Sequence, residues 1–343
     1  MAATFQLGIF FTVLSMTMMM DSAHARPCDI YAKYGTPCVA AHSTVRALFA
    51  QYQGPLYTVQ RSSDNATRDI DVLAPGGIAN AAAQDAFCSN GAICTVIRIY
   101  DQSSYKNHLG LAPPGGAAHH PDKGVDASRA PIRVGRDGTF KAYAAFFEGG
   151  MGYRIENTTG VARGDEPETL YMVTDGQHYN GGCCFDYGNA ESNAKDTGAG
   201  SMEAVYFGNS SDWGKGGGAG PWIMADLENG LWAGDQKVNP GNLPIMAEFI
   251  TAMVIGRSGN SFALKGGDAT KGNLTVLYDG ARPPGYSPMR KQGSIILGIG
   301  GDNSDWAVGT FYEGCITKGA STSEADDAVQ ADIVAAGYGR VKI

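Results

Sequence analysis

Between about residue 56 and residue 319 the chain alternates apolar and polar positions in short runs, broken by Gly, Asn, Asp and Pro turns. The clearest runs are Thr95 to Tyr100, Lys141 to Phe147, Thr169 to Thr174, Met202 to Phe207, Pro221 to Glu228, Phe249 to Ile255, Leu274 to Tyr278, Ser294 to Ile299 and Thr310 to Ile316. A period of two with β-branched and aromatic residues is the signature of strands. That many strands at loosely regular spacing predict an all-β fold of two antiparallel sheets packed face to face. Two stretches carry a helical period instead. Ser43 is placed to cap a short helix in which Val45, Leu48, Phe49 and Tyr52 share one face. Near the end, Ser321 and Glu324 have capping-box spacing, Val329 and Ile333 form an inner face, and Gly337 supplies the stop. No Pro/Ser linker and no internal repeat interrupts the pattern, so residues 26–343 are expected to form one domain.

Residues 1–25 stand apart. Leu7 to Leu14 is an apolar run, and Ala23-His24-Ala25 offers a small-x-small cleavage site before Arg26, which together predict a secretory signal peptide and an extracellular protein. Asp21 argues against this segment staying in a membrane as an anchor, and no other apolar run is long enough to span one.

Composition sharpens the picture. With 48 glycines and only 17% charged residues among 343, the chain suits an all-β fold better than a helical or disordered one. A net charge of −8 argues against nucleic acid and acidic membranes as partners, because both need a basic patch. Neutral ligands such as sugars fit that charge. The secretory route lets the seven cysteines pair. Cys28 and Cys38 enclose one short turn-rich loop, and Cys88 and Cys94 another, so local pairing is the economical arrangement. The adjacent Cys183 and Cys184, with Cys315, remain. A bridge between neighbours closes a strained eight-membered ring, which favours one of them pairing with Cys315 or staying reduced, and spacing alone leaves this open.

The most informative segment for chemistry is PWIMADLEN, Pro221 to Asn229. Alternation puts Asp226 and Glu228 on one face of a strand and Ile223, Ala225 and Leu227 on the other. Two carboxylates on an otherwise apolar strand repel each other and resist desolvation, so they point to a ligand or a reaction; a strand edge with a solvated face is the plain alternative. Other motifs dissolve on inspection. Gly298-Ile-Gly300-Gly301 is followed by no helix and so is not a dinucleotide fingerprint. His119-His120 with Asp122 lies in a Gly/Pro/Ala-rich loop without further ligands at metal spacing. Arg163-Gly164-Asp165 reads as a turn. No Gly-x-Ser-x-Gly elbow is present. Asn65, Asn157, Asn209 and Asn273 each stand in an Asn-x-Ser/Thr sequon and are expected at the surface, Asn209 being the foremost candidate for glycosylation.

A longer series of motifs, PCDIYAKYGTPCVAAHST, YDQSSYKNHL, GDEPE, CCFDYGNAE, DTGAG, GPWIMADLEN, GARPPGY, ILGIGGDNS and GTFYEG, runs in order through the chain after residue 25. In these motifs the sequence resembles the catalytic domain of the α-L-arabinofuranosidase B enzymes, glycoside hydrolase family 54. The resemblance implies a concanavalin-like jelly-roll β-sandwich with short flanking helices, and a retaining glycosidase with no metal or organic cofactor. It implies Glu228 as nucleophile and Asp302 as general acid/base, with Asp226, Asn229 and Gly301 holding arabinose hydroxyls and Trp213 forming an apolar wall. It also implies that Cys183 and Cys184 form a vicinal disulfide lining the sugar pocket, leaving Cys315 free. The family usually carries a C-terminal arabinose-binding β-trefoil, which is not expected within this sequence. In such chemistry Glu228 must stay ionised to attack while Asp302 holds a proton for the leaving oxygen. The expectation is therefore a secreted, monomeric, exo-acting α-L-arabinofuranosidase acting on arabinose-containing plant polysaccharides and oligosaccharides. A lectin-like sandwich without turnover, or a furanosidase or xylosidase of altered sugar preference, are the alternatives.

Overall fold

The computed structural model describes residues 25–89 and 91–341, so the expected signal peptide lies, but for its last residue, outside the described residues. Among these, two large antiparallel sheets carry the architecture. One has nine strands in the order Thr275–Gly280, Ser261–Asp268, Phe249–Arg257, Glu168–Asp175, Gly309–Thr317, Phe140–Phe147, Ala130–Val134 and Gly339–Arg340, with Cys38–Ser43 also paired to Gly309–Thr317. The other has ten, in the order Leu231–Trp232, Trp222–Asp226, Glu203–Gly208, Asp186–Ala190, Ser294–Leu297, Tyr153–Ile155, Leu109–Leu111, Cys94–Ile99, Pro55–Arg61 and Thr67–Asp71. The two-sheet β-sandwich expected from the alternation is the observed fold, and all nine predicted runs are strands with shifted ends.

Alternation explains how the layers form. Leu170, Met172, Ile250, Ala252 and Val254 of the first sheet meet Val205, Phe207, Ile223, Ala225, Ile295 and Leu297 of the second in one buried core. The opposite face of the first sheet, with Tyr171, Val173, Phe249 and Met253, is covered by two helices, α1 (Pro27–Lys33) and α3 (Ser323–Ala335), while α2 (Ala81–Phe87) lies between them in the chain. Val329 and Ile333 of α3 are fully buried there, as its period requires, and Gly337 ends it at φ +68. Its cap differs from expectation: Thr322 accepts from the Ala325 N–H, while Ser321 bonds Thr169 and Asp326.

The helix expected after Ser43 does not form. Ser43 Oγ does accept from the N–H groups of Val45 and Arg46, as a capping hydroxyl would. The backbone then bonds sideways, Ala47 N to Gly77 O and Ala79 N to Val45 O, instead of along an axis. Val45 and Leu48 are buried as their spacing suggested, but in an irregular segment. Between them Arg46, also buried, donates to both oxygens of Glu313 and to Asp332. The turn reading of Arg163-Gly164-Asp165 agrees with the structure, since the Asp165 carboxylate accepts from the backbone of Gly259 and Met289.

Candidate active site

The site sits on the outer face of the second sheet. Trp222 and Met224 point to that face and pack with Cys184, Tyr206 and Leu231, while Ile223, Ala225 and Leu227 enter the inter-sheet core. Asp226 therefore faces outward, as predicted, but the strand ends at this residue and Glu228 is not on it. Glu228 and Asn229 adopt φ +65 and +57, the left-handed region that L-residues occupy rarely and mostly at functional turns. Glu228 N donates to Asp226 Oδ1 at 3.1 Å, and Tyr286 Oη donates to Glu228 O at 2.8 Å. A tight turn, and not strand pleating, brings the two carboxylates together, and both are buried, so the solvated-edge alternative does not hold.

Asp302 arrives from the loop after Ser294–Leu297. Gly300 N donates to Ser304 O, Asn303 N to Gly300 O, and Ser304 N to Asp302 Oδ1 at 3.0 Å, which closes the loop on itself. Arg154 pins it from below, donating to Gly301 O at 2.8 Å and to Glu191 O. Gly301 is required by space: a Cβ there would lie 2.0 Å from Glu191 Oε2. The third wall is the Cys183–Cys184 disulfide, fastened by Cys184 N to Ser304 O and Trp306 N to Cys183 O, both at 3.2 Å. These elements enclose a cavity of about 330 Å³. Glu228, Asp302, Asp226, Asn229, Gly301, Trp213, Cys183 and Cys184 all line it, with Trp213 half-exposed at the surface.

The sequence model of the family described as "Alpha-L-arabinofuranosidase B, catalytic" matches residues 27–339. This chain belongs to the α-L-arabinofuranosidase B catalytic family. A probable α-L-arabinofuranosidase B of Aspergillus terreus is 54% identical over 321 residues, covering 92% of this chain and 62% of the relative. An "Arabinofuranosidase/B-xylosidase" of Trichoderma koningii is also 54% identical over 321 residues, covering 92% and 63%. The chain thus spans about 62% of the length of such curated relatives. Among solved structures, a Glu-to-Gln mutant of a GH54 α-L-arabinofuranosidase soaked with 4-nitrophenyl α-L-arabinofuranoside matches with TM-score 0.89 and 50% identity, covering 92% of this chain and 66% of that one. An arabinofuranosidase complexed with arabinofuranosyl-α-1,2-xylobiose matches equally well.

In this member of the α-L-arabinofuranosidase B family, the electrostatics of the pocket depart from the expected division of labour. Burial, then the charges of Glu191 and Asp226, push the Glu228 carboxyl up to about 11. Burial, opposed by the nearby Asp186 carboxyl and the Glu228 N–H and reinforced by Glu191 and Asp302, pushes Asp226 up to about 7. Asp186, fully buried two strands away in the same sheet, is also driven well above the carboxylate range, by burial and then by Asp226. Burial and neighbouring charge thus work against the ionised Glu228 that the expected chemistry needs. Arg154 is the buried cation whose charge reaches Glu191, Asp302 and Glu228. Asp186, Glu191, Arg154, Asp196 and the exposed pocket residue Trp306 were not singled out by sequence reasoning. The available signal for Asp186 and Glu191 was their place in CCFDYGNAE, next to the two cysteines.

The remaining expectations divide. Cys28–Cys38 and Cys88–Cys94 are bonded as predicted, Cys183 pairs with Cys184 as the resemblance implied, and Cys315 is free and buried. Asn65, Asn157 and Asn273 are exposed. Asn209 is half-buried, with its Oδ1 shut off from solvent and its Cβ under Gly220, which makes it the least accessible of the four.

Proposed function

We propose that this chain is a secreted, exo-acting, retaining α-L-arabinofuranosidase that releases terminal arabinofuranose from arabinan, arabinoxylan and related side chains. The observation that carries the proposal is the single cavity into which separate turns and loops deliver Glu228, Asp226 and Asp302 beside the Cys183–Cys184 disulfide, in a chain about half identical to arabinofuranosidases. Glu228 is assigned as the nucleophile and Asp302 as the acid/base. Asp226, Asn229 and Gly301 are assigned to sugar hydroxyls, Trp213 to an apolar wall and the disulfide to a further wall of the pocket.

The geometry supports stateable steps. Glu228 attacks the anomeric carbon as its carboxylate, the form that burial and the charges of Glu191 and Asp226 disfavour. Positive charge developing on the sugar ring favours that ionised state, since the cavity is walled by carboxylates and backed by one buried guanidinium. Asp302 protonates the leaving oxygen and then activates water against the glycosyl-enzyme. A pocket of about 330 Å³ suits a single terminal residue better than a chain interior. We assign residues 26–343 to one catalytic domain that acts as a monomer on neutral plant saccharides.

Hydrolysis of an aryl α-L-arabinofuranoside tests the proposal. Glu228→Gln should abolish turnover for every leaving group, whereas Asp302→Asn should release a good leaving group yet stall at deglycosylation, with azide restoring turnover and retained configuration. No phenol release by the unaltered chain would leave a sugar-binding sandwich instead. The similarity to the Trichoderma koningii Arabinofuranosidase/B-xylosidase favours one second reading, a β-xylosidase activity in the same pocket, which a matched aryl xyloside measures.

A further inference from the structure

His120 and Asp122, set aside in the sequence for want of further ligands, gain one from a distant segment of the chain. The loop after Asp302 places Asp305 against them, so that ligand atoms of His120, Asp122 and Asp305 all lie within 4.8 Å of one another. His120 Nε2 is 3.7 Å from Asp305 Oδ2. Asp122 is 4% and Asp305 3% exposed, yet Oδ2 of each has no hydrogen-bond partner. Asn303 Nδ2 donates to Asp122 Oδ1 at 3.2 Å, which orients that carboxylate and leaves Oδ2 free. Gly152 keeps the space beside it open, since a Cβ there would stand 2.2 Å from Asp122 Oδ2. Two desolvated carboxylates with unpartnered oxygens are costly unless something positive lies between them.

We propose that His120 Nε2, Asp122 Oδ2 and Asp305 Oδ2 form a binding site for a first-row divalent cation of the Zn²⁺ class, with water completing the coordination. One imidazole and two carboxylates suit Zn²⁺ or Mn²⁺, whereas Ca²⁺ prefers six to eight oxygens. The exposed imidazole marks the side from which the ion enters. Asn303 acts from behind, as outer groups do at metal sites. The bound ion ties the loop that carries Asp302 and Trp306 to the 115–122 segment, which already donates Ala117 N to Asp302 O and Ala118 N to Asn303 O. The site stands whichever sugar the pocket takes.

The whole chain, dialysed against a chelator, is followed by thermal unfolding and elemental analysis with added Zn²⁺, and with Ca²⁺ as the control. At a hundredfold excess over Kd, Zn²⁺ should raise the midpoint by about 4 °C and remain bound at about one per chain, with no shift from Ca²⁺. Asp305→Asn should abolish the shift, and so should His120→Ala, whose exposed side chain puts folding at little risk. No Zn²⁺ shift in the unaltered chain overturns the site and leaves a proton shared between the carboxylates. A shift that persists in His120→Ala overturns it equally, by placing the metal elsewhere.

Discussion

Replacing Asp226 by Asn should make the protein more stable at neutral pH while removing activity. Burial and neighbouring acids raise Asp226 from 3.8 to about 7 in the folded state. Between those values the folded state holds a proton that the unfolded state has released, so unfolding free energy falls with rising pH, by about 1.4 kcal/mol per pH unit. The stabilisation is complete below pH 3.8 and lost by about pH 7, a total of about 4 kcal/mol. Asn has the same shape, stays neutral, and its Oδ1 can still accept from the Glu228 N–H now given to Asp226 Oδ1. Urea unfolding should therefore give matching midpoints for both proteins near pH 4, and a variant that is the more stable by up to about 4 kcal/mol at pH 7.5. Asp186 and Glu228, also raised, keep part of the slope in the variant. An Asp226→Asn protein equally destabilised at both pH values would refute the reasoning, because Asp226 would then act as a structural acceptor and not as a strained acid.

Three further outcomes are expected. Arg46→Met leaves Glu313 and Asp332 buried without their shared cation and should lower unfolding free energy by about 3–5 kcal/mol in urea titrations. Gly301→Ala forces a Cβ onto Glu191 Oε2 and Met202 Sδ, so kcat/KM on an aryl arabinofuranoside should fall by about a hundredfold while far-ultraviolet circular dichroism is unchanged. In a glycosylating host, peptide mapping should find glycans at Asn65, Asn157 or Asn273 and none at Asn209, whose Oδ1 is enclosed.

The strands were legible because each sheet has one face against the inter-sheet core, and that imposes a period of two on residues such as Ile223, Ala225 and Leu227. The short helices were not. α1 has seven residues, and the helix Ala81–Phe87, although capped by Asn80, is built from AAAQDAF, which carries no amphipathic period. The false helix after Ser43 arose because a buried irregular segment can place apolar residues at helical spacing while its backbone bonds elsewhere. At the site, alternation found the face of Asp226 but could not show that Glu228 lies past the strand in a left-handed turn. Asp302 and the adjacent cysteines were reached only through motif resemblance, since their meeting depends on loop closure between distant segments. Asp186 was marked only by its place in CCFDYGNAE, and Arg154 left no pattern at all, because a buried charge in a strand looks in sequence like a solvated one.

Tyr31 of α1 bonds Asp326 of α3, Arg26 approaches Asp332, and the strand Gly339–Arg340 runs along the same sheet that these helices cover. The cavity opens from the outer face of the other sheet. Both ends of the described chain therefore lie on the side of the first sheet, with the second sheet between them and the pocket. A tether joined at either end, whether to a bead, an electrode or another protein, would hold the molecule with its acid-lined pocket turned toward solution.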